Sequence, residues 1–401
     1  MEQIKRVKNK YGEFSAFIND FLRQGSIFSV YSNQYLISPG FCDVHVHFRE
    51  PGFFYKETIK SGSEAAARGG YTTVCTMPNL NPSPDNIEKL SVQTKIIERD
   101  AVIDIYPYGT ITKGENGKEP SDMEALAPYV CAFSDDGRGV QREDIMRTSM
   151  LKAKSLDKVI AAHCEDNSLL FGGVIHDGEV AKKLGVKGIS AVSEYAMIER
   201  DLKLAKETGV KYHVCHISTA ESVELIRRAK KNGIDVTCET APHYLVLTDE
   251  DVRNEGRFKM NPPLRTKRDR QALIEGIIDG TIDIIATDHA PHTAEEKSKG
   301  LTGSPFGVVG LETAFPILYT HLVRTGTVSL ETIINAFTVN PRKRFGLPVG
   351  KEDFTVFEIA TPYAIKSDDF LSKGKSTPFE NSEVYGKCVM TVKNGKIIYL
   401  D

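Results

Sequence analysis

Six side chains with metal-ligand chemistry sit at the ends of short apolar runs. The first two lie in Phe41-Cys42-Asp43-Val44-His45-Val46-His47, entered through Pro39-Gly40. Side chains alternate along an extended strand, which predicts His45 and His47 on one face and Val44 and Val46 on the other. Two imidazoles so placed can hold a divalent ion. Asp135-Asp136 follow Ala132-Phe133-Ser134, His163 ends Val159-Ile160-Ala161-Ala162, and Asp288 ends Ile284-Ile285-Ala286-Thr287. His213 and His216 share another run, and their odd spacing turns them to opposite faces. His216, nearer the C-terminal end, is the ligand candidate and His213 is expected to pack. Taken singly, each has a plainer explanation. An isolated His-x-His is more often two packed histidines, and Asp-Asp-Gly makes good turns. Their shared position at strand ends favours ligation, because in barrels those ends carry the active site.

Together His45, His47, Asp136, His163, His216 and Asp288 offer four imidazoles and two carboxylates. That set suits one or two Zn²⁺ ions per subunit. Two such ions activate a water and polarise a carbonyl. The implied chemistry is hydrolysis, or its reverse, at an amide-like carbon. Asp288 is the catalytic candidate, carrying a proton between the attacking water and the leaving nitrogen. It would be costly to bury without such a partner.

Other polar groups look aimed at a substrate. Arg49, just past His47, could grip a carboxylate with two parallel hydrogen bonds. Asn79 follows Thr76-Met77-Pro78, and Asn261 sits in the proline-stiffened Lys259-Met260-Asn261-Pro262-Pro263. His292 closes Asp288-His289-Ala290-Pro291-His292, and Phe306-Gly307 lie in a loop that could offer backbone donors or act as a lid. The plain alternatives are a surface arginine, turn capping and an ordinary connection.

The elements that must position these groups are eight strand-like runs at residues 41–47, 72–77, 103–108, 130–134, 159–163, 212–217, 235–240 and 282–287. They are apolar on both faces, as buried parallel strands are. Helical stretches at 58–68, 193–208, 220–232 and 267–279 lie between them and run into Gly69-Gly70, Gly209, Gly233 and Gly280. Repeated strand–helix alternation predicts an α/β fold, a TIM-type (β/α)8 barrel over residues 39–348. Residues 1–38 and 349–401 instead hold short strand-like pieces, with Asn394-Gly395 as a hairpin turn. The two ends are expected to pair into one small β-sandwich-like domain.

The 401 residues are 40% hydrophobic and 26% charged, with a net charge of −3. That balance argues against nucleic acid or a membrane surface held by bulk charge. No apolar run approaches the ~18 residues of a spanning helix, and no signal core follows Met1-Glu2-Gln3-Ile4-Lys5-Arg6. Seven cysteines without a C-x-x-C pair read as buried reduced thiols of a cytoplasmic protein.

The run Pro39 to Gly52 resembles the signature of dihydroorotases of the amidohydrolase superfamily. Ala286-Thr287-Asp288-His289-Ala290-Pro291-His292, Lys259-Met260-Asn261-Pro262-Pro263-Leu264-Arg265 and Thr76-Met77-Pro78-Asn79 resemble the same family, in its type I bacterial branch. The resemblance implies reversible interconversion of N-carbamoyl-L-aspartate and L-dihydroorotate in pyrimidine synthesis. It implies His45, His47 and Asp288 on one zinc and His163 and His216 on a second. It also implies substrate contacts at Arg49, Asn79, Asn261, His292 and the Phe306-Gly307 backbone, a homodimer, and association with aspartate transcarbamoylase. Related hydantoinases bridge their metals with a carboxylated lysine after the fourth strand. This chain has Ser134-Asp135-Asp136 there, and the family pattern matches Asp136 better than Asp135. Tyr244 stands where a second histidine is expected. A hydantoinase-like amidase and a silent scaffold are the competing readings. Arg49, Asn79 and the missing lysine oppose the first, and the complete ligand set opposes the second.

Overall fold

Runs rich in Val, Ile, Thr and Cys fill a pleated surface buried on both sides, and these runs form parallel strands. The computed structural model describes residues 20–23, 28–31 and 33–401. The rest of the expected terminal piece 1–38, including the start of its first strand-like run, lies outside the described residues. Phe41–Val46, Tyr71–Thr76 and Asp104–Pro107 pair in that order. Gly109–Thr110, Ala132–Ser134, Val159–Ala162, Lys211–Val214, Val236–Thr240 and Ile284–Ile285 follow, again all parallel. Only Tyr108 separates the two groups, and its N–H donates to Thr76 O at 3.0 Å. At the other end Val46 forms a parallel bridge with His289. Each expected run carries a strand. The largest difference is at 282–287, where only Ile284–Ile285 form the strand, and at 212–217 the strand stops at Val214.

Helices Ile59–Arg68, Val192–Thr208, Ala220–Lys231 and Lys267–Ile278 match the expected stretches. Thr58, Thr219 and Thr266 cap three of them by accepting a backbone N–H of the first turn. Gly209 stops its helix in the left-handed conformation, with φ of 65°. Ile87–Asp100 and Glu143–Ser155 are further helices that the glycine signal does not mark, because Ala101 and Leu156 end them instead.

Strict alternation fails at one expected place. Val44 packs with Cys42, Cys75, Ala161, Cys215 and Ile284, whereas Val46 packs with the cluster that includes Val74, Ile160 and the helices. The pairing register shifts between Asp43 and Val46, so the two valines do not share a face.

Both ends of the chain contribute to a five-stranded antiparallel sheet. Its order is Ser29–Tyr31, Tyr35–Pro39, Phe354–Glu358, Lys387–Lys393 and Lys396–Leu400. Thr391 Oγ1 donates to Ala67 O at 2.6 Å and ties this sheet to the first helix. Phe41 joins the layers. Its ring stacks on Phe337 at 4.8 Å and Phe357 at 5.2 Å, with Phe315 and Tyr71 at 5.6 Å. Phe41→Ala is expected to cost about 3–5 kcal/mol in denaturant titration. Phe54→Ala, at a side chain 61% exposed, should stay within about 0.5 kcal/mol.

Candidate active site

The strand ends bring the expected residues together. His45, His47, Asp136, His163, His216 and Asp288 are all buried. Asp136 lies among the imidazoles. Its Oδ1 is 3.3 Å from His216 Nε2, 3.4 Å from His45 Nε2 and 3.5 Å from His163 Nδ1, while its Oδ2 is 3.4 Å from His47 Nε2. Asp288 Oδ1 lies 3.1 Å from His47 Nε2 and 3.5 Å from His45 Nε2. Among the described residues three groups have ligand atoms mutually within 4.8 Å: His45, His47 and Asp288; His45, Asp136 and His216; and His45, Cys215 and Glu239. His163 Nδ1 meets His216 Nε2 at 2.9 Å.

This donor set fits a cation. His45 Nε2 is a buried polar atom without a hydrogen-bond partner, and it faces both carboxylates. Burial works against the ionised form of Asp136, but the charge of His45 and hydrogen bonds to His163 and His216 hold the carboxyl well below its ordinary range. Asp288 is held down in the same way by His45 and His47 against its own burial.

Asp135 goes elsewhere. Its Oδ1 accepts from Ile111 N at 2.8 Å and Thr112 N at 3.0 Å, and its Oδ2 accepts from Thr112 Oγ1. It anchors the preceding strand end, so the neighbouring carboxylates divide the work. Arg49, His216 and Asp288 have φ of 59°, 34° and 48°. Non-glycine residues seldom adopt this conformation, and it gathers at functional sites.

Supports that the sequence reading did not single out orient the imidazoles. Glu239 meets His45 Nδ1 at 2.5 Å and His213 Nε2 at 3.1 Å. His213 also reaches Thr237 Oγ1 at 2.8 Å and is fully buried, so it packs and supports. Asp43 Oδ1 accepts from His45 N at 2.9 Å, and its Oδ2 accepts from Thr287 N at 3.0 Å and Thr287 Oγ1 at 2.6 Å. Burial lifts the Asp43 carboxyl to about 7. Glu165 Oε2 lies 3.4 Å from His163 Nε2. An acid inside an apolar strand, as in Val236-Thr237-Cys238-Glu239, was the available signal.

A cavity of about 220 Å³ opens beside this cluster. Its wall includes the predicted ligands His47, Asp136, His163, His216 and Asp288 and all the predicted substrate contacts, but not His45. Asn79 Oδ1 meets His47 Nδ1 at 2.9 Å, and Asn261 Nδ2 donates to Glu165 Oε1 at 2.9 Å, so both also steady the imidazoles or their supports. Arg49 Nε donates to Pro291 O at 3.3 Å, which lays its guanidinium beside His292. His292 Nε2 donates to Phe306 O at 2.8 Å, and its Nδ1 accepts from Lys56 Nζ at 3.1 Å. Burial and the nearby Arg49 and Lys56 charges push His292 down to about 3, which keeps it neutral. Tyr244 donates to Pro262 O at 2.6 Å, behind the loop that carries Asn261.

A protein named dihydroorotase from Fusobacterium nucleatum subsp. nucleatum is 54% identical over 372 residues, 91% of this chain and 88% of its own. Those from Enterococcus faecalis and Staphylococcus epidermidis are 52% and 48% identical, over 92% and 99% of this chain and 88% and 93% of theirs. The chain belongs to the dihydroorotase family. The family model for dihydro-orotase-like proteins matches residues 34–222. Among solved structures, L-hydantoinase (dihydropyrimidinase) from Arthrobacter aurescens superposes with a TM-score of 0.80 at 25% identity, over 91% of this chain and 85% of that one. A dihydropyrimidinase from Brevibacillus agri gives 0.78 at 22%, over 92% and 85%, a likeness of fold. Against that shared fold, the dihydroorotase-family chain has Asp136 after its fourth strand.

Asp136→Asn should lower bound metal, while Asp135→Asn should keep the metal and lose thermal stability; elemental analysis and melting curves separate them. Glu239→Gln should weaken metal affinity by about 10–100-fold, read by chelator competition.

Proposed function

We propose that this chain is a zinc-dependent dihydroorotase of pyrimidine synthesis, opening L-dihydroorotate to N-carbamoyl-L-aspartate and closing it again. The observation that carries this reading is Asp136, buried among four imidazoles, with Asp288 and Arg49 facing one small cavity. His45, His47, Asp136, His163, His216 and Asp288 would hold one or two Zn²⁺. Bound zinc would supply Lewis acidity to the ring carbonyl and to the attacking water.

The protein's own groups do the rest. In hydrolysis a C–O bond forms to the ring carbonyl carbon and the C–N bond breaks. The Asp288 carboxylate takes the proton released by the water and returns it to the leaving nitrogen. Its depressed basicity would be tuned by the same imidazoles that fix its position. Arg49, with Asn79 and Asn261, would bind the substrate carboxylate, and neutral His292 would brace Arg49 and the Phe306-Gly307 wall. A carboxylate-binding arginine favours dihydroorotate over the uncharged rings of hydantoinases.

The fold belongs to the same proposal. The strand series, linked end to end at Tyr108 and at the Val46–His289 bridge, is read as a closed (β/α)8 barrel over 39–348. Residues 1–38 and 349–401 are read as its small β domain. The cytoplasmic location rests on seven free buried cysteines, and among the described residues no helix is long and apolar enough to cross a membrane. A homodimer and an association with aspartate transcarbamoylase rest on the resemblance alone.

Asp288→Asn should abolish ring opening of L-dihydroorotate with an unchanged circular dichroism spectrum; full activity would remove it from proton transfer. Arg49→Met should raise KM by at least about tenfold with a smaller effect on kcat. An unchanged KM would remove Arg49 from the substrate contacts.

A further inference from the structure

Outside the ligand cluster, the structure holds a buried lysine that the chemistry above does not use. Lys297 is 7% exposed, and its Nζ donates to Lys259 O at 3.1 Å, Pro305 O at 3.0 Å and Gly307 O at 2.6 Å. An ammonium has three donors and no acceptor, so three carbonyls satisfy it completely. Those carbonyls belong to two separate loops. One carries Asn261 and the other carries Phe306-Gly307. Gly307 N also donates to Lys259 O at 3.0 Å, and Ser304 Oγ donates to Lys297 O at 3.2 Å. Gly256 lies so close that a Cβ there would come within 2.2 Å of Lys297 O. The lysine backbone is therefore as fixed as its head group.

We propose that Lys297 is a positioning residue that clamps the Asn261 loop to the Phe306-Gly307 loop and so sets the width of the substrate cavity. The proposal rests on the reading that these loops form the substrate wall. A neutral hydrocarbon at this position would take the ammonium donor from the Pro305 and Gly307 carbonyls and leave Gly307 N as the donor to Lys259 O. His292 depends on the same clamp, because its Nε2 donates to Phe306 O. The charged or titratable groups that face Lys297 are Lys259, Glu296 and His292. Burial, then the Lys259 charge, lowers Lys297 to about 7. The ammonium that holds all three carbonyls is thus the form present below that pH. Above it the neutral amine has two donors for three acceptors, and the clamp loosens.

The test uses the metal-loaded full chain. With L-dihydroorotate, Lys297→Met should raise KM by about tenfold or more while kcat changes by less than about threefold and metal content stays the same. The KM of the unaltered protein should rise as pH passes through about 7, and that rise should be absent in the variant. An unchanged KM, or the same pH profile in both proteins, would overturn the proposal. Hydrogen exchange supplies a reading that needs no turnover. In the unaltered protein, the amides of Ser304, Phe306 and Gly307 should lose protection between pH 6 and pH 8 relative to residues 41–47, after correction for intrinsic exchange. Constant relative protection would overturn the clamp even if the variant does not fold. Absence of dihydroorotate turnover in the unaltered protein, with the exchange change present, would instead locate the failure in the assigned function.

Discussion

Two carboxylates and four imidazoles converge in a region with almost no solvent, and the rest of the structure answers to that concentration of charge. Asp136 and Asp288 are both buried and both held ionised by the imidazoles around them. Buried carboxylates destabilise a fold unless cations and hydrogen bonds compensate. Here compensation comes from His45, His47, His163 and His216, and His45 Nε2, which has no hydrogen-bond partner, faces both acids. Such a cluster can exist only where several strands end side by side. That is the geometry parallel pairing provides.

A further ring of acids makes the convergence rigid. Glu239 fixes His45 through Nδ1, which directs Nε2 toward Asp136 and Asp288. Asp43 ties the backbone of His45 to Thr287, one residue before Asp288, so the first and last strands are locked together at the site. The parallel bridge from Val46 to His289 repeats the connection in the backbone. Asp135 does the same service for the fourth strand by holding Ile111 and Thr112. The left-handed backbone at Asp288 is flanked on both sides by these ties, at Thr287 and at His289.

Much of this was legible in the sequence because its signals are local. A histidine or aspartate closing an apolar run, as at His163 and Asp288, marks both a strand end and a candidate ligand. Trailing glycines marked helices such as Lys267–Ile278, but the helix Glu143–Ser155 ends at Leu156 and carried no such mark. The Val44–Val46 alternation failed because a register shift between two strands is a pairing property, which neither run displays alone. The division of labour between Asp135 and Asp136 depends on Thr112, more than twenty residues away, so adjacency alone left both open. Lys297 was invisible for the same reason, since its partners are backbone carbonyls of loops whose approach only the folded chain displays.

The most direct measurement is turnover of the zinc-loaded protein on L-dihydroorotate beside dihydrouracil and hydantoin, with metal counted on the same sample. The account predicts chelator-sensitive opening of dihydroorotate alone, with one or two zinc ions per chain. Preferential opening of the uncharged rings would contradict the carboxylate-binding role of Arg49. Full activity without bound metal would contradict the reading of the buried acids and imidazoles.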